Sequence, residues 1–183
     1  MNIKKITQSE IAKNKPTVPE LALRKRTPIY VIFENVRSRY NVGAMFRTSD
    51  AALVEKIFLV GATPRPPHKL IDKSALGATD VVPWEHVSSC RDVIAKLKAD
   101  GVFIVALELT HSSVRYDKMD YQFPVCLVVG NEADGISQEA LDMCDAAIDI
   151  PMLGRANSLN VATAYGIALF EVLMKYKSKH DQS

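Results

Sequence analysis

From residue 28 onward, short apolar, β-branched runs alternate with stretches of helical spacing. The runs "IYVIF" (29–33), "KIFLVG" (56–61), "VFIVALEL" (102–109), "PVCLVVGNE" (124–132) and "AAIDIP" (146–151) read as strands, with a shorter one around "VVPW" (81–84). Between them, "NVGAMFRTSDAAL" (41–53) predicts a helix capped by Asn41. "SSCRDVIAKLKADG" (88–101) has a serine cap, apolar residues at helical spacing and a terminating glycine. "SQEALDMC" (137–144) predicts a short helix. Residues 158–177 predict a long last one, with Val161, Tyr165, Ala168, Leu169, Val172 and Leu173 on one face. Strands alternating with helices imply an α/β domain: a largely parallel sheet covered on both faces, with ligands gathered at the carboxyl ends of its strands.

Composition fits one globular domain: 183 residues, 48% hydrophobic and 24% charged. No apolar run approaches the ~20 residues of a membrane helix, and the first residues lack the apolar core of a signal peptide. A cytoplasmic protein with no membrane partner is expected. Cys90, Cys126 and Cys144 are odd in number, far apart and without CxxC or Cys/His spacing, so they read as reduced packing thiols and no metal is expected. The net charge of +2 is unevenly placed. Residues 1–27 carry seven basic and two acidic side chains, net +5, which leaves 16 basic and 19 acidic residues, net −3, for the rest. This divides the chain into a basic arm (1–27), a body (28–177) and a polar tail (178–183). Such an arm suits a polyanion such as RNA, and equally a solvated tail.

Three strand-end loops carry unusual residues. In "ENVRSRYNVGAMFRTSDA" (34–51), Gly43 and Arg47 are four apart and share a helix face. The missing side chain at Gly43 clears room beside a guanidinium that grips phosphate or ribose, while Arg37 and Arg39 add charge. The plainer reading pairs Arg47 with Asp50 at i+3 on a solvated face. In "VVGNEADGIS" (128–137), an apolar strand stops at Gly130, where a ligand can approach the backbone, and Gly135 supplies a positive-φ turn that sets Glu132 at the cleft. An ordinary turn before a helix has a similar composition. In "IPMLGRANSLNVATAYGIALFE" (150–171), Ser158 and Asn160 either cap the last helix or face a substrate. No GxGxxG follows the first strand, and no P-loop, GxSxG elbow or HExxH occurs. The four histidines have no ligand spacing.

In this order and spacing, "NVGAMFRTSDA", "LVVGNEADGIS" and "IPMLGRANSLNVATAYGIALFE" closely resemble motifs 1, 2 and 3 of the SpoU/TrmH branch of the SPOUT RNA methyltransferases. The resemblance implies an α/β-knot domain with a deep C-terminal trefoil knot, working as a homodimer. It implies methyl transfer from S-adenosylmethionine to a ribose 2′-hydroxyl of tRNA or rRNA, with S-adenosylhomocysteine as product. Carried onto the matching positions, it implies Asn41, Arg47, Glu132, Ser158 and Asn160 as the catalytic set. The implied cofactor contacts are Leu107, Glu108, Gly130, Asn131, Ile150, Met152, Leu153, Ser158 and Leu159. Arg47 is the implied handler of the ribose. Because a guanidinium keeps its proton, orientation of the ribose with help from an adjacent phosphate is favoured over direct deprotonation, and both stay open. Arg24, Lys25 and Arg26 in the arm, with Arg37 and Arg39, are the expected RNA contacts. So short an arm makes tRNA the expected substrate over rRNA. The competing readings are an RNA-binding paralogue without catalysis and a small-molecule methyltransferase.

Overall fold

The computed structural model describes residues 3–180. Its strands are β1 (Thr27–Glu34), β2 (Val54–Val60), β3 (Trp84–Val87), β4 (Phe103–Leu107), β5 (Val114–Arg115), β6 (Val125–Val129) and β7 (Ala146–Asp149). They form one sheet in the order β3-β2-β1-β6-β4-β7-β5, and every neighbouring pair is parallel. The helices are α1 (Gln8–Lys13), α2 (Val18–Leu23), α3 (Arg39–Ala51), α4 (Lys69–Ala75), α5 (Cys90–Ala99), α6 (Gln138–Leu141) and α7 (Val161–His180).

Side chains on successive strand residues point to opposite faces, and this alternation divides the core in two. Val31 and Phe33 of β1 and Leu127 and Val129 of β6 pack with Met45 and Phe46 of α3 and Tyr165 and Leu169 of α7. Ile32, Cys126 and Val128 face the other way, onto Ile94 and Leu97 of α5. All of β6 is buried, as befits the middle of a parallel sheet covered on both sides. Chemically the cysteines are packing groups: burial, the largest influence, pushes the thiols of Cys90 and Cys144 up to about 12. Among the described residues no helix is long and apolar enough to cross a membrane.

Several boundaries differ from those expected, each for a local reason. Helix α3 starts at Arg39 with Ser38 as its cap, whose Oγ accepts from Asn41 N at 3.3 Å. Asn41 therefore lies inside the first turn, with its amide left for other partners. Gly43 does not clear space for Arg47: a Cβ there would overlap Ser74 Oγ and Ile71 O, so the glycine lets α4 lie directly against α3. Helix α7 starts at Val161 rather than Ser158, because Asn160 Oδ1 accepts from Ala162 N (3.0 Å) and Thr163 N (3.3 Å). It runs on to His180, so residues 178–180 of the expected tail are helical, and residues 181–183 lie outside those described.

The basic arm contains two short helices, α1 and α2. Each is closed by a capping box, Thr7 with Glu10 and Thr17 with Glu20, and neither buries a residue. Helix α4 and the two-residue edge strand β5 also went unread. Neither has an apolar run long enough to stand out.

Candidate active site

The chain steps from β1 outward to β2 and β3, then returns to build β4, β6 and β7 on the other side of β1. The carboxyl ends of β1, β6, β4 and β7 therefore open into a crevice at this change of direction, and the motif loops leave from there. The loop after β6 is closed on itself. Asn131 N donates to Gly135 O (2.9 Å) and Gly135 N to Asn131 O (3.0 Å), with Gly135 at φ +70° as expected. A Cβ at Gly130 would overlap Gly135 C, Gly135 O and Ile136 N, so this glycine admits the returning backbone of its own loop. That is a different reason from the ligand approach expected of it.

Asn131, only 8% exposed, stitches this loop to its neighbour. Its Oδ1 accepts from Ala133 N (2.8 Å) and Asp134 N (3.1 Å), and its Nδ2 donates to Asn35 O (2.8 Å). Two carboxylates hold the far side. Glu34, 4% exposed at the end of β1, accepts from Ser137 N (2.9 Å) and Ser137 Oγ (2.6 Å). Glu108 accepts from Ile136 N (3.1 Å) through Oε2 and from Leu109 N (3.0 Å) through Oε1. Glu34 was missed in the sequence, although a charged residue ending "IYVIFE" was a usable signal: a buried carboxylate demands donors.

The three motifs meet in one chain of hydrogen bonds. Glu132 Oε1 accepts from Asn41 Nδ2 at 2.9 Å, and Asn41 Oδ1 accepts from Asn160 Nδ2 at 3.2 Å. Glu132 also accepts from Arg37 N (2.9 Å) and Ser38 N (3.0 Å), capping α3 from outside with a negative charge. Desolvation is the largest single influence on this carboxyl and raises its pKa. The bonds donated by Arg37, Asn41 and Ser38 together outweigh it and hold the group below the ordinary 4.5. A depressed carboxyl stabilises the fold above its ordinary pKa, and that contribution disappears as pH falls through the folded value. Glu132→Gln is thus expected to lower stability at neutral pH by about 1 kcal/mol, after allowance for exposure. It also flattens the decline in melting temperature between about pH 5 and about pH 3. Thermal melts of both proteins across that range check this, and parallel curves would contradict it.

Beside the relay lies an open cleft of about 980 Å³. Leu107, Glu108, Gly130, Asn131, Ile150, Met152, Ser158 and Leu159 line it, as do Glu132 and Asn160. Leu153, also expected there, does not line it and is 98% exposed. Arg47 is absent from the walls too. It sits six residues beyond Asn41 on α3, about 9 Å along the axis and about a third of a turn round it. It is exposed, and among the described residues it has no ion-pair partner, Asp50 included.

The expected RNA contacts fall into two places. Arg37 and Arg39 are exposed at the cleft end of the sheet, with Arg37 Nη2 at 3.5 Å from Asp134 Oδ2, a solvent-exposed pair of little energetic weight. Arg24 and Lys25 are exposed at the opposite end, and the eight residues of β1 separate the two ends by about 25 Å. Arg26 departs from the expectation: its guanidinium donates to Val54 O (3.1 Å) and Val81 O (2.5 Å) and pins the arm to the body. Among the described residues no cluster of His, Cys, Asp and Glu has the makings of a metal site.

A parallel sheet with a cleft at its strand ends, walled by glycine- and asparagine-bearing loops, defines an α/β ligand-binding domain of the topological-switch kind. The chain belongs to the SpoU rRNA Methylase family, whose model matches residues 28–170. It is 34% identical over 152 residues to the tRNA (guanosine(18)-2′-O)-methyltransferase of Escherichia coli (strain K12), covering 83% of this chain and 66% of that one. The chain thus spans about two thirds of that relative's length. The crystal structure of the A. aeolicus TrmH/SpoU tRNA modifying enzyme superposes with a TM-score of 0.80 at 33% identity, covering 88% of this chain and 82% of that one. The AdoMet-bound rRNA methyltransferase from Sinorhizobium meliloti gives 0.76 at 34% identity, covering 87% and 60%.

Proposed function

We propose that the protein transfers a methyl group from S-adenosylmethionine to a ribose 2′-hydroxyl of RNA, with tRNA preferred over rRNA. The observation that carries this reading is the Glu132–Asn41–Asn160 relay, which joins all three family motifs at the rim of one cleft. The cleft suits the cofactor. Its volume of about 980 Å³ is ample for a nucleoside with an amino-acid arm. Leu107, Ile150, Met152 and Leu159 offer an apolar slot for adenine, the buried Gly130 lines its floor, and the Ser158 hydroxyl stands on an exposed loop among the described residues. When bound, the cofactor supplies an electrophilic sulfonium methyl.

The chain's own residues do the rest. Glu132 fixes Asn41, Asn41 fixes Asn160, and the starts of α3 and α7 are thereby held in one arrangement around the cleft. Arg47 donates to a phosphate oxygen of the RNA and aligns the neighbouring ribose, whose 2′-hydroxyl proton passes to that phosphate. Arg47 lies outside its own cleft, and a homodimer accounts for this by bringing the exposed face of α3 against the cleft of a second copy. The same contact would cover Leu153 and the exposed Phe170 and Met174 of α7. The C-terminal trefoil knot of the family is part of this proposal, as are the 28–177 catalytic unit, its 1–27 basic arm and a cytoplasmic location. The tRNA preference rests on the similarity to the E. coli and A. aeolicus tRNA enzymes. The S. meliloti rRNA enzyme keeps rRNA as the second reading.

Mapping 2′-O-methylation across total RNA from cells with and without the gene tests the proposal. One site is expected to vanish, in tRNA. A lost site in rRNA would select the second reading, and an unchanged map would favour the paralogue without catalysis.

A further inference from the structure

A second cavity, of about 550 Å³, lies at the opposite end of the sheet, where the arm joins β1. Among the described residues its charged lining is three cations from the arm, Arg24, Lys25 and Arg26, against the carboxylate of Glu55. Its other wall is aromatic. Tyr176 and His180 stack with ring centroids 4.4 Å apart, and Phe123 meets them edge-on at 5.1 and 6.0 Å. Phe123 and Tyr176 are half-buried and His180 is exposed, so this cluster forms a surface instead of filling the core.

We infer that this cavity is a second nucleotide-binding site, which stacks an unpaired base on the Phe123–Tyr176–His180 cluster and holds the flanking phosphates with Arg24 and Lys25. Aromatic faces beside fixed cations are the combination that grips single-stranded nucleic acid, because every base has a π-face and every linkage a charge. Arg26 contributes by tethering: its bonds to Val54 O and Val81 O hold the arm where Arg24 and Lys25 border the cavity. The separation from the catalytic cleft, about 25 Å along β1, is too long for one nucleotide to touch both. The occupant is therefore another segment of the RNA whose ribose is methylated, and the site selects substrates by what lies several nucleotides from the target.

The inference rests on the RNA methyltransferase reading, and the experiment separates the two. Fluorescence anisotropy of a labelled mixed-sequence oligoribonucleotide is measured against salt for the full chain, the R24Q/K25Q double variant and Tyr176→Leu. Loss of two phosphate contacts is expected to make the slope of log affinity against log salt shallower by about 1.4. Tyr176→Leu is expected to weaken binding about tenfold at fixed salt while leaving the slope unchanged, the signature of a lost stack. Phe123→Leu gives the same readout should Tyr176→Leu fail to fold. Calorimetry with S-adenosylmethionine is expected to give the same affinity for every variant. Oligoribonucleotide binding that ignores both aromatic substitutions overturns the second site and leaves the methyltransferase reading intact. Absence of cofactor binding in the unmodified chain overturns the reading itself.

Discussion

Arg47→Ala is expected to lower methyl transfer by about 10²- to 10³-fold, the range seen when one group that stabilises a transition state is removed. Its affinity for S-adenosylmethionine is expected to stay at the wild-type value, because Arg47 lines no part of its own cleft and its proposed partner is a phosphate of the RNA. The fold is expected to be unaffected as well. The side chain is exposed and without an ion-pair partner among the described residues, and alanine is a better helix former than arginine. A fall in kcat with unchanged cofactor binding is therefore the diagnostic pattern. Arg47→Lys is expected to recover only a little, since an ammonium lacks the planar fork that holds phosphate by two parallel bonds. Single-turnover assays, calorimetry and sedimentation velocity on the same preparations separate chemistry, binding and dimerisation. Full activity in Arg47→Ala would remove this residue from the mechanism and leave the ribose to be aligned by Arg37 or Arg39.

The parallel sheet was legible because its strands are written as β-branched runs, and α5 because Ser89 and Gly101 mark its ends as backbone chemistry requires. Motif loops were legible as places, and eight of the nine expected cofactor contacts do line one cleft. Their reasons were harder to read. Asn41 looked like a cap because asparagine caps well, but Ser38 was nearer the turn and left the Asn41 amide to bridge Glu132 and Asn160. That bridge joins residues 91 and 119 positions apart, which no local pattern encodes. Gly43 reads as clearing room for Arg47 and Gly130 as admitting a ligand, whereas both admit other parts of the chain. A glycine signals that something comes close, and only the fold says what. The arm helices were missed for the opposite reason: the Thr-x-x-Glu boxes were present in "TQSE" and "TVPE", but helices that bury nothing show no apolar period.

Gly130→Ala is expected to destabilise the protein by about 3 kcal/mol and to abolish cofactor binding at ordinary concentrations. The new Cβ would overlap backbone atoms of Gly135 and Ile136, and backbone has no rotamer through which to yield. Relief requires the loop to swing away. That would break the paired Asn131–Gly135 bonds and draw Ile136 N from Glu108, three bonds at about 1 kcal/mol each. Against a typical stability of about 5–15 kcal/mol, the domain would still fold, with its cleft floor displaced. Gly154 provides the contrast. It lines the same cleft, but a Cβ there meets nothing within 4 Å, so Gly154→Ala is expected to change stability by less than about 1 kcal/mol. Urea unfolding and calorimetry with S-adenosylmethionine on the two variants give the test. For Gly130→Ala the midpoint is expected to fall at constant slope while binding is lost. If both glycines tolerate alanine equally, the closed loop after β6 is not what shapes the cleft.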